Sequence, residues 1–578
     1  MQNKQQRLKT CLQENHYILP SYQTYGGLSG YQDYGILGTK LKNKLISLWR
    51  NYFVDDHTDT IVEIETPTVI PYNILKASGH VDRFTDYVVY DSKNICHRAD
   101  HLAKKWFKDN DMAEIADEVD TWTQQILEDN INKYKMIQVT TDKIVIQRKN
   151  LMFEVPSESN DYNIDFLRPE LAQGIFVNFK NCQQFLQKDL PFGVASYGSS
   201  YRKEISPQQY VRMREFRQAE IEYFVDPKNK EHPNFDTLKY TMIPLMTELM
   251  QINNEKSALD ISIEDAVTNK LINNKLMGYF LAKIYLFAIQ IGLHPEKLRF
   301  RQHLSHEMAH YALECWDLET FVNSDWLECV GCADRGSFDI QVHSVSGNED
   351  LKCKRTLSEP KIVVTLKPKF NMKSIGKQFG NMTAQIVKYF NDITQMELKC
   401  AKDVIDHTGE INITIQNNTY NLVKDMLTIE EISTNITFEE FYPHVLEPSF
   451  GIDRLIYSVF EQNFWSRKDD DSRIVLSLPP TLSPYNVGIF ALVKCDQLNL
   501  VVNSINEMLS TNSFKCYLDT SSTKIGKRYV RADEMGIKYV ITVDFETLED
   551  KQVTIRERDS MSQIRVDIDK LLENINQN

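Results

Sequence analysis

The stretch that decides the fold is Ser196–Pro227, SYGSSYRKEISPQQYVRMREFRQAEIEYFVDP. Two strand-like segments flank a loop around a proline, a pattern that predicts an antiparallel hairpin. Basic and acidic side chains alternate on each arm of this hairpin. The commoner meaning of such alternation is a surface hairpin with cross-strand ion pairs; the other is a binding site that needs both signs of charge. The charged residues concerned are Arg202, Glu204, Arg212, Arg214, Glu215, Glu220 and Glu222.

Two further blocks carry the same mixture of charges. FLRPELAQGIFVNF, residues 166–179, holds Arg168, Glu170 and Gln173, and EPSFGIDRLIYSVFE, residues 447–461, runs into a predicted helix. Arginine binds phosphate bidentately and stabilises charge on a phosphorus centre under attack. Carboxylates in the same site could hold Mg²⁺ against the phosphates or accept hydrogen bonds from an ammonium group. The mixture therefore suits ATP together with a cationic amine.

These blocks resemble the motifs of class II aminoacyl-tRNA synthetases, and among them the glycyl-tRNA synthetases of the eukaryotic and archaeal type. YRKEISP…VRMREFRQAEIEYFVDP is similar to the second class motif and EPSFGIDR to the third. The resemblance covers the chain from about Tyr22 to Ile575, with the blocks in the family's order. Further family-like segments are YGGLSGYQDYG, ASGHVDRFTDY, HRADHL, LRPELAQGIF, WLECVGCADRGSFD, DTSSTKIGKRYVRADEMGIKYVITVDF and VTIRERDSMSQIR.

The resemblance implies an α+β fold: a class II antiparallel sheet flanked by helices, with insertions, plus a C-terminal α/β anticodon-binding domain. The implied divisions are residues 1–102 for the first part of the catalytic domain with the dimer-interface motif, 103–160 for an insertion, 161–342 for the part with the ATP and glycine sites, 343–440 for a second insertion, 441–468 for the last catalytic motif, and 473–578 for the anticodon-binding domain.

The resemblance also assigns expected roles to single residues. Arg202 would contact the α-phosphate of ATP and the substrate carboxylate, and Arg454 would bind the far end of a bent ATP; these two are the expected catalytic residues. Glycine has no side chain to grasp, so its ammonium group would be held by a set of carboxylates and the room for a methyl group would be closed. The expected ATP residues are Arg202, Lys203, Glu204, Arg212, Met213, Glu328, Cys329 and Arg454, and the expected glycine residues are Glu170, Glu220, Glu447, Pro448 and Ser449.

The implied activity is that of a glycine–tRNA ligase, with ATP and glycine as substrates, Mg²⁺ as cofactor at Glu328, and tRNA(Gly) as partner. A basic cluster at Lys524, Lys527, Arg528 and Arg531 is expected to contact the anticodon arm, although composition alone favours a solvated helix face equally. The family further implies a cytoplasmic homodimer, with residues 40–53 and the strand ending at Pro71 at the interface. Diadenosine tetraphosphate synthesis is a possible side reaction.

Two positions depart from the family pattern. In the second motif the loop reads SPQQYVR, so that Gln208 stands where an arginine is expected and the loop is one residue short. Contacts of this loop with the acceptor stem and with ATP are therefore in question. In the third motif, Asp453 stands where many eukaryotic members have glycine.

One motif points to a different chemistry. His306-Glu307-Met308-Ala309-His310 matches H-E-x-x-H, the zinc-binding pattern of metalloproteases on a helix. The surrounding alternation of Ala309, Tyr311, Leu313 and Cys315 predicts a strand instead, in which the two histidines lie too far apart to share an ion. The continuation lacks the metzincin pattern, although Glu319 or Glu328 could serve as the third ligand of another zinc site. We expect no zinc.

Composition and overall charge agree with a multidomain globular protein. The 578 residues are 42% hydrophobic and 25% charged, and the net charge of −14 argues against a general nucleic-acid coat while leaving room for local basic patches. Ten cysteines without a secretory signal predict reduced thiols. The apolar run 276–293 is interrupted by Lys283 and Gln290, which favours a buried helix over a membrane span.

A second function is also considered. Synthetase-like folds serve as non-catalytic nucleic-acid-binding subunits, as in the accessory subunit of the mitochondrial DNA polymerase. Such relatives lose the arginines that bind ATP. This chain keeps Arg202, Arg212 and Arg454, so the catalytic interpretation is preferred.

Overall fold

The computed structural model describes residues 2–55, 61–138, 144–158, 161–309 and 311–576. The chain forms two compact units, Met1–Leu351 with Pro443–Asn578, and Lys352–Tyr442. Among the described residues no helix combines the length and the apolar character that a membrane crossing requires.

A nine-stranded sheet forms the centre of the larger unit. Numbered along the chain, its strands are β1 Ile61–Glu63, β2 Phe192–Tyr201, β3 Glu215–Val225, β4 Met242–Met246, β5 Leu259–Ser262, β6 Leu298–Gln302, β7 Glu314–Val322, β8 Asp325–Gly336 and β9 His444–Gly451. Their order across the sheet is β5-β4-β6-β7-β8-β9-β3-β2-β1. Only the β1–β2 and β4–β6 pairs are parallel within the described residues, so the predicted antiparallel sheet with flanking helices is confirmed.

The hairpin predicted from the opening stretch is β2 and β3, which pair from Phe192↔Phe224 to Tyr201↔Glu215. The expected position of the charges is partly wrong. Arg202, Glu204 and Arg212 lie in the connecting loop 202–214 and not on the strand arms. The strands end earlier because the loop backbone bonds elsewhere, with Arg214 N–H donating to the carbonyl of Gly30 at 2.8 Å.

The main helices pack apolar faces against this sheet. In Ile36–Arg50, Leu41, Leu45 and Trp49 are buried, as the helical spacing predicts. The apolar run near residue 280 forms Lys275–Gln290, buried on nearly all sides and capped by the Asn274 side chain, which accepts from Met277 N–H. Other helices of the larger unit are Gln2–Glu14, Tyr72–Ala77, His80–Arg83, Ala99–Asp109, Ala113–Glu118, Gln124–Lys133, Ala172–Phe176, Phe179–Leu186, Phe235–Leu238, Glu248–Ile252, Ile263–Thr268, Phe338–Ser346 and Ile452–Gln462.

Several short strands lie outside the nine-stranded sheet in the larger unit. The strand-like stretch 60–71 divides between two sheets, because its second part, Val69–Pro71, pairs with Ile164–Leu167 and not with β2. The helical segment predicted between residues 103 and 160 packs around its own core, which includes Phe107, Leu127 and Ile131. The remaining strands here are Ile18–Pro20, Gln32–Tyr34, Thr85–Tyr90, Cys96–Arg98, Gln147–Asn150, Glu154–Pro156, Phe464–Ser466 and Ile474–Leu476.

The smaller unit contains two antiparallel strand pairs and three helices. Cys353–Phe370 pairs with Leu427–Phe441, and Glu410–Ile415 pairs with Asn418–Val423. Its helices are Met372–Phe379, Thr383–Asp392 and Gln395–Thr408. The apolar residues of these helices form a hydrophobic core with both strand pairs. This segment therefore has a core of its own.

The C-terminal α/β domain is a five-stranded sheet with helices. Its strands, in sheet order, are Cys516–Asp519, Val487–Ala491, Tyr539–Val543, Gln552–Glu557 and Gln563–Asp567. Its helices are Asp496–Thr511, Ile525–Glu534, Thr547–Asp550 and Leu571–Asn576.

This domain packs against the part of the larger unit that contains the nine-stranded sheet. Phe490, Ala532 and Val540 belong to the same hydrophobic cluster as the helices beneath the large sheet. The Tyr17 hydroxyl donates to the carbonyl of Met535 at 2.9 Å. Buried Asp533 accepts from Arg467 at 2.8 Å and from Arg556 at 2.7 Å.

Replacing Asp533 tests this junction. Asp533→Ala leaves two nearly fully buried guanidinium groups without their carboxylate, so we expect a loss of about 3–5 kcal/mol in the free energy of unfolding. Urea denaturation followed by circular dichroism measures it. Asp469→Ala, at an exposed position of the preceding linker, is the matched control. Superimposable curves for the two variants would contradict the assigned role of Asp533.

Candidate active site

A row of directly opposed residues crosses the middle of the sheet. Cross-strand pairs join Arg301 to Asp317, Asp317 to Gly331, Gly331 to Ser449, and Ser449 to Glu220. Neighbours opposed in this way project from the same face of a sheet. Residues far apart in the sequence are thereby placed side by side as the floor of a site.

A cleft opens over this floor beside the loop that follows β2. Charged groups of both signs line it, together with the aromatic rings of Tyr210 and Phe216. Its lining residues are Arg202, Glu204, Tyr210, Val211, Arg212, Met213, Phe216, Arg217, Gln218, Glu328, Cys329, Gly331, Ser449, Gly451, Asp453 and Arg454. The structure thus brings together most of the residues predicted to bind ATP.

Arg202 and Arg454 are held at the cleft wall by backbone carbonyls. The Nε of Arg202 donates to Pro169 O at 3.2 Å, and its guanidinium lies 5.3 Å from the ring centre of Phe216. The Nε of Arg454 donates to Val211 O at 2.9 Å and its Nη1 to Glu328 O at 2.8 Å. Backbone carbonyls orient both cations, and the Nη1 of Arg454 also lies 3.4 Å from a carboxylate oxygen of Glu328, which offsets part of its charge.

The loop segment SPQQYVR, which differs from the family pattern at Gln208, forms a tight turn. Gln208 and Arg212 exchange two backbone hydrogen bonds, each at 2.9 Å. The ring of Tyr210, inside this turn, stacks on that of Tyr457 at 4.9 Å. The side chain of Gln208 is exposed. The substitution therefore leaves the turn intact, and its side chain is accessible to a ligand outside the cleft.

The other departure, Asp453, is buried and has a structural task. Its carboxylate accepts from Arg217 N–H at 2.8 Å and from the Tyr34 hydroxyl. It thereby connects the start of the helix Ile452–Gln462 to β3 and to the strand Gln32–Tyr34.

Glu328 reaches the cleft because of a β-bulge. The β7–β8 register passes from Leu318↔Val330 to Glu319↔Glu328, so that Cys329 is the extra residue. Burial raises the pKa of the Glu328 carboxyl, but the nearby cations Arg454, His303 and Arg202 outweigh burial and lower it. Glu328 is therefore an ionised carboxylate on the active face.

A cluster of largely buried carboxyl groups, called the acid pocket below, adjoins the cleft. Glu220 accepts from Ser449 Oγ at 3.1 Å and from Leu171 N–H at 2.8 Å. Glu170 accepts from Gln173 at 2.8 Å and lies 3.5 Å from His80. The three carboxylates predicted to surround an ammonium group all occur in this pocket, linked to the cleft by Ser449.

One cation, Arg335, lies at the centre of this pocket. It donates to both oxygens of Asp339, at 2.8 and 3.1 Å, and to Glu447 at 2.9 Å, and it lies 3.8 Å from Glu170. Its residue is only 1% exposed. These contacts fix the orientation of Glu447 and offset part of its buried charge.

The pKa values of the pocket acids reflect this unequal pairing. Burial, and then the charges of Glu447 and Glu170, raise the pKa of Glu220 to about 8. Burial also raises the pKa of Glu447, with partial compensation by Arg335. For Glu170 the effect of burial is outweighed by His80 and Arg335, and its pKa is lowered. These surroundings favour a proton on Glu220, which a bound cation would displace.

Of the residues expected at the site, Lys203 and Pro448 are not part of the cleft lining, whereas Cys329 is. Lys203 is exposed and contributes no lining to the cleft. Pro448 alternates with Glu447 and Ser449 along β9, so its ring projects from the opposite face. The bulge points the Cys329 thiol toward Thr320 and Ser458, each 3.4 Å away, so Cys329 meets the cleft through its backbone.

The H-E-x-x-H segment also differs from the expected strand. His306 lies exposed in a turn in which Glu307 N–H donates to Leu304 O at 2.9 Å, while His310 lies outside the described residues. The nearest histidine of interest is His303, which forms a hydrogen bond with Asp317 at 2.7 Å. His303, Cys315 and Asp317 bring their ligand atoms within 4.8 Å of one another. Burial and the Asp317 charge raise the pKa of the Cys315 thiol, which disfavours its use as a thiolate ligand.

The basic cluster of the C-terminal domain is only partly a surface. Lys524, Lys527 and Arg531 are exposed on or beside the helix Ile525–Glu534. Arg528 is 1% exposed and donates to the carbonyls of Asp519, Ala491 and Leu492. Its expected contact with RNA is therefore wrong, because its guanidinium holds the domain core together.

Several residues of the site were not predicted. Arg335 and Asp339 stand in the quoted segment WLECVGCADRGSFD, one helical turn apart, and that spacing is the signal that could have identified them as a pair. His80 stands in the quoted ASGHVDRFTDY, but nothing local links it to Glu170. Asp317 stands between the apolar Trp316 and Leu318, and Phe216 and Arg217 stand among the charged residues of the hairpin, so none of the three gives a separate signal.

Known proteins are similar to this chain over nearly its whole length, and a family model matches its C-terminal domain. A family model described as an anticodon binding domain matches residues 486–578. A glycine–tRNA ligase of Methanocaldococcus jannaschii is 39% identical over 565 residues, which cover 96% of each chain. Glycine–tRNA ligase 2 of Saccharomyces cerevisiae is 36% identical over 596 residues, which cover 99% of this chain and 96% of the yeast protein.

The fold is similar to that of solved synthetases. The crystal structure of prolyl-tRNA synthetase from Cryptosporidium parvum, in complex with L-proline and AMP, superposes with a TM-score of 0.53 at 10% identity and covers 99% of this chain and 74% of that one. At this identity the similarity concerns the fold alone.

Proposed function

The chain belongs to the glycine–tRNA ligase family, and from this premise we propose how its residues activate glycine with ATP and transfer it to the 3′ end of tRNA(Gly). The observation that carries the proposal is the contact between Ser449 and Glu220. Ser449 lines the arginine-rich cleft and donates to a carboxylate of the acid pocket. A phosphate-binding cleft and an ammonium-binding pocket therefore meet at one hydrogen bond.

The cleft binds ATP. Arg202 contacts the α-phosphate and the glycine carboxylate, because its guanidinium faces the cleft close to the acid pocket and donates to the backbone carbonyl of Pro169. Arg454 and Arg212 contact the outer phosphates. Phe216 offers its ring to the purine, and Glu204 and Met213 complete the wall.

Mg²⁺ fits the carboxylate of Glu328. Magnesium ions in ATP sites are held by one or two carboxylates together with phosphate oxygens, and Glu328 is ionised beside the arginines of the cleft. When bound there the ion neutralises phosphate charge. The fixed guanidinium groups of Arg202 and Arg454 supply the rest of the positive charge facing the phosphates.

The acid pocket binds glycine by its ammonium group. Glu220, Glu170 and Glu447 surround the pocket, and each is oriented by neighbours: Ser449, His80 and Arg335 respectively. Selectivity against alanine requires that an added methyl group overlap this rigid wall, since a missing methylene alone contributes only about 1–3 kcal/mol.

The reaction then has two steps. A carboxylate oxygen of glycine attacks the α-phosphorus, the bond to the β-phosphate bridging oxygen breaks, and pyrophosphate leaves. The terminal ribose hydroxyl of tRNA next attacks the activated carbonyl, and AMP leaves. Orientation and fixed charge carry both steps, with no need for a protein nucleophile.

The remaining assignments follow from the family and the surface. We assign tRNA contact to Lys524, Lys527 and Arg531, a homodimer to the region of Ile36–Arg50 and Val69–Pro71, and a cytoplasmic location to the protein. Diadenosine tetraphosphate synthesis is a side reaction open to the adenylate. A non-catalytic accessory role is disfavoured because Arg202, Arg212 and Arg454 all line the cleft.

Amino-acid-dependent pyrophosphate exchange tests the function. We expect exchange between ATP and pyrophosphate with glycine, little with alanine and none with the other amino acids, and a requirement for Mg²⁺. Arg202→Ala removes the charge at the reacting phosphate and should lower the glycine-dependent rate by at least a hundredfold. Arg214→Ala, with a side chain outside the cleft lining, is the control. Absence of exchange with all twenty amino acids would favour the accessory-protein alternative.

Glycine binding should depend on pH through Glu220. Because the pKa of Glu220 is about 8, binding of an ammonium group below that pH must release the proton of the Glu220 carboxyl. The KM for glycine should therefore fall by up to tenfold per pH unit from pH 6 to 8 and then level off. Glu220→Gln should raise the KM for glycine at least tenfold, remove this pH dependence and leave the KM for ATP within twofold.

Glu255→Gln, an exposed position in the turn after the helix Glu248–Ile252, is the control for that series. A raised KM for ATP with an unchanged KM for glycine in Glu220→Gln would refute the assignment to the ammonium group.

The exposed basic residues of the C-terminal domain should bind RNA. Replacing Lys524, Lys527 and Arg531 together by glutamine should weaken tRNA binding and reduce the slope of log Kd against log salt by about 2–3, because fewer counterions are released. Pyrophosphate exchange should stay unchanged. Arg528→Gln should instead lower the free energy of unfolding. An unchanged salt slope in the triple variant would place the RNA-binding surface elsewhere.

A further inference from the structure

Glu222 is a buried carboxyl group that the reaction described above leaves without a task. It lies on β3 two residues after Glu220, and therefore on the same face of the strand. Its residue is 0% exposed. Neither of its carboxylate oxygens has a hydrogen-bond donor among the described residues. A buried, ionised carboxylate without donors is strongly unfavourable, so the group requires an explanation.

The groups that face Glu222 come from three other elements. The pairs Glu220↔Ser449 and Tyr223↔Leu446 bring Glu222 opposite Glu447 on β9. One oxygen each from Glu220, Glu222 and Glu447 lies within 4.8 Å of the others. Arg335 at the end of β8 and Asp339 on Phe338–Ser346 also act on it electrostatically. Glu222 thus faces three acids and a single cation.

That cation is already engaged with other carboxylates. The Nε and Nη2 of Arg335 donate to Asp339, and its Nη1 donates to Glu447. Glu220 in turn has two donors, Ser449 and Leu171. Donors stabilise the ionised form of a carboxyl group, so Glu220 and Glu447 are favoured as carboxylates when a cationic ligand is present. Glu222, with none, is the group on which a proton is most stable.

We propose that Glu222 is a permanently protonated carboxylic acid whose O–H donates to the Glu447 carboxylate and holds it in position for the ammonium group of glycine. Glu222 is then a positioning residue that acts through Glu447. The inference rests on the proposed function. Burial, and then the charge of Glu447, raise the pKa of Glu222 well above its usual range, in agreement with the geometry.

A neutral Glu222 also keeps the charge of the pocket correct. Ionised Glu170, Glu220, Glu447 and Asp339 already exceed Arg335 and one ammonium group in charge. A fourth glutamate charge would add repulsion without adding a donor. The alternative occupant of the three clustered oxygens is a divalent cation, which would require Glu222 as a charged ligand.

Two substitutions of similar size separate these possibilities. Glu222→Gln keeps a permanent N–H donor without charge, so we expect the KM for glycine to stay within about twofold of wild type. Glu222→Leu removes the donor and leaves Glu447 unpaired on that side. We expect it to raise the KM for glycine about tenfold or more, with the KM for ATP within twofold. Glu220→Gln serves as the reference for loss of a direct ammonium ligand.

The outcomes that overturn the proposal are distinct. A KM for glycine raised in Glu222→Gln as much as in Glu220→Gln would make Glu222 a charged ligand of the ammonium group or of a metal ion. An unchanged KM in Glu222→Leu would make Glu222 a spectator. Absence of glycine-dependent exchange in the wild-type protein would instead refute the proposed function.

Infrared difference spectroscopy provides a readout that does not depend on the leucine variant. The difference spectrum between the wild type and Glu222→Gln at neutral pH, without added ligand, should contain the C=O stretch of a protonated carboxylic acid. The symmetric and antisymmetric bands of a carboxylate in its place would show an ionised Glu222 and overturn the proposal.

Discussion

The active site depends on one buried cation. Arg335 is buried and surrounded by carboxyl groups, and it donates to Asp339 and Glu447 while lying near Glu170. Removing such a cation would leave several buried charges uncompensated, whereas its own charge is too small to neutralise them all. The pocket is therefore left short of positive charge. A small ammonium ligand can supply that charge. The excess of buried carboxyl groups is also why the pKa of Glu220 is raised to about 8.

Sheet register converts this electrostatic constraint into a site for two substrates. Five strands, each antiparallel to its neighbour in the row, place Arg301, Asp317, Gly331, Ser449 and Glu220 side by side. The bulge at Cys329 adds Glu328 to the same face, where regular alternation would have turned it away. The cleft that suits phosphates and the pocket that suits an ammonium group are thus two ends of one surface, which is the arrangement needed for attack of one ligand on the other.

The two additional parts of the chain differ in how they are attached. Residues 352–442 have their own core and form a separate compact unit. The C-terminal domain instead shares its core with the catalytic half, and Arg467 and Arg556 meet at Asp533 beneath it. Truncation before this domain would remove Met535 and expose Tyr17, whose hydroxyl donates to the Met535 carbonyl, so removal of the anticodon-binding domain is expected to destabilise the catalytic half as well.

The sequence by itself determined the hairpin of β2 and β3 through its residue pattern. It determined the class of fold, the anticodon-binding domain and most of the residues expected around the cleft through the resemblance of its motifs to those of a known family. Tertiary structure alone decided which side chains face the site. Pro448 turns away because its strand alternates, Cys329 because of a bulge, and Arg528 because neighbouring carbonyls bind its guanidinium inside the domain. His80 reaches Glu170, and Arg335 reaches Glu447, across 90 and 112 residues of chain. Such pairings depend on strand register and on burial, which are set by contacts between distant segments and leave no local trace in the sequence.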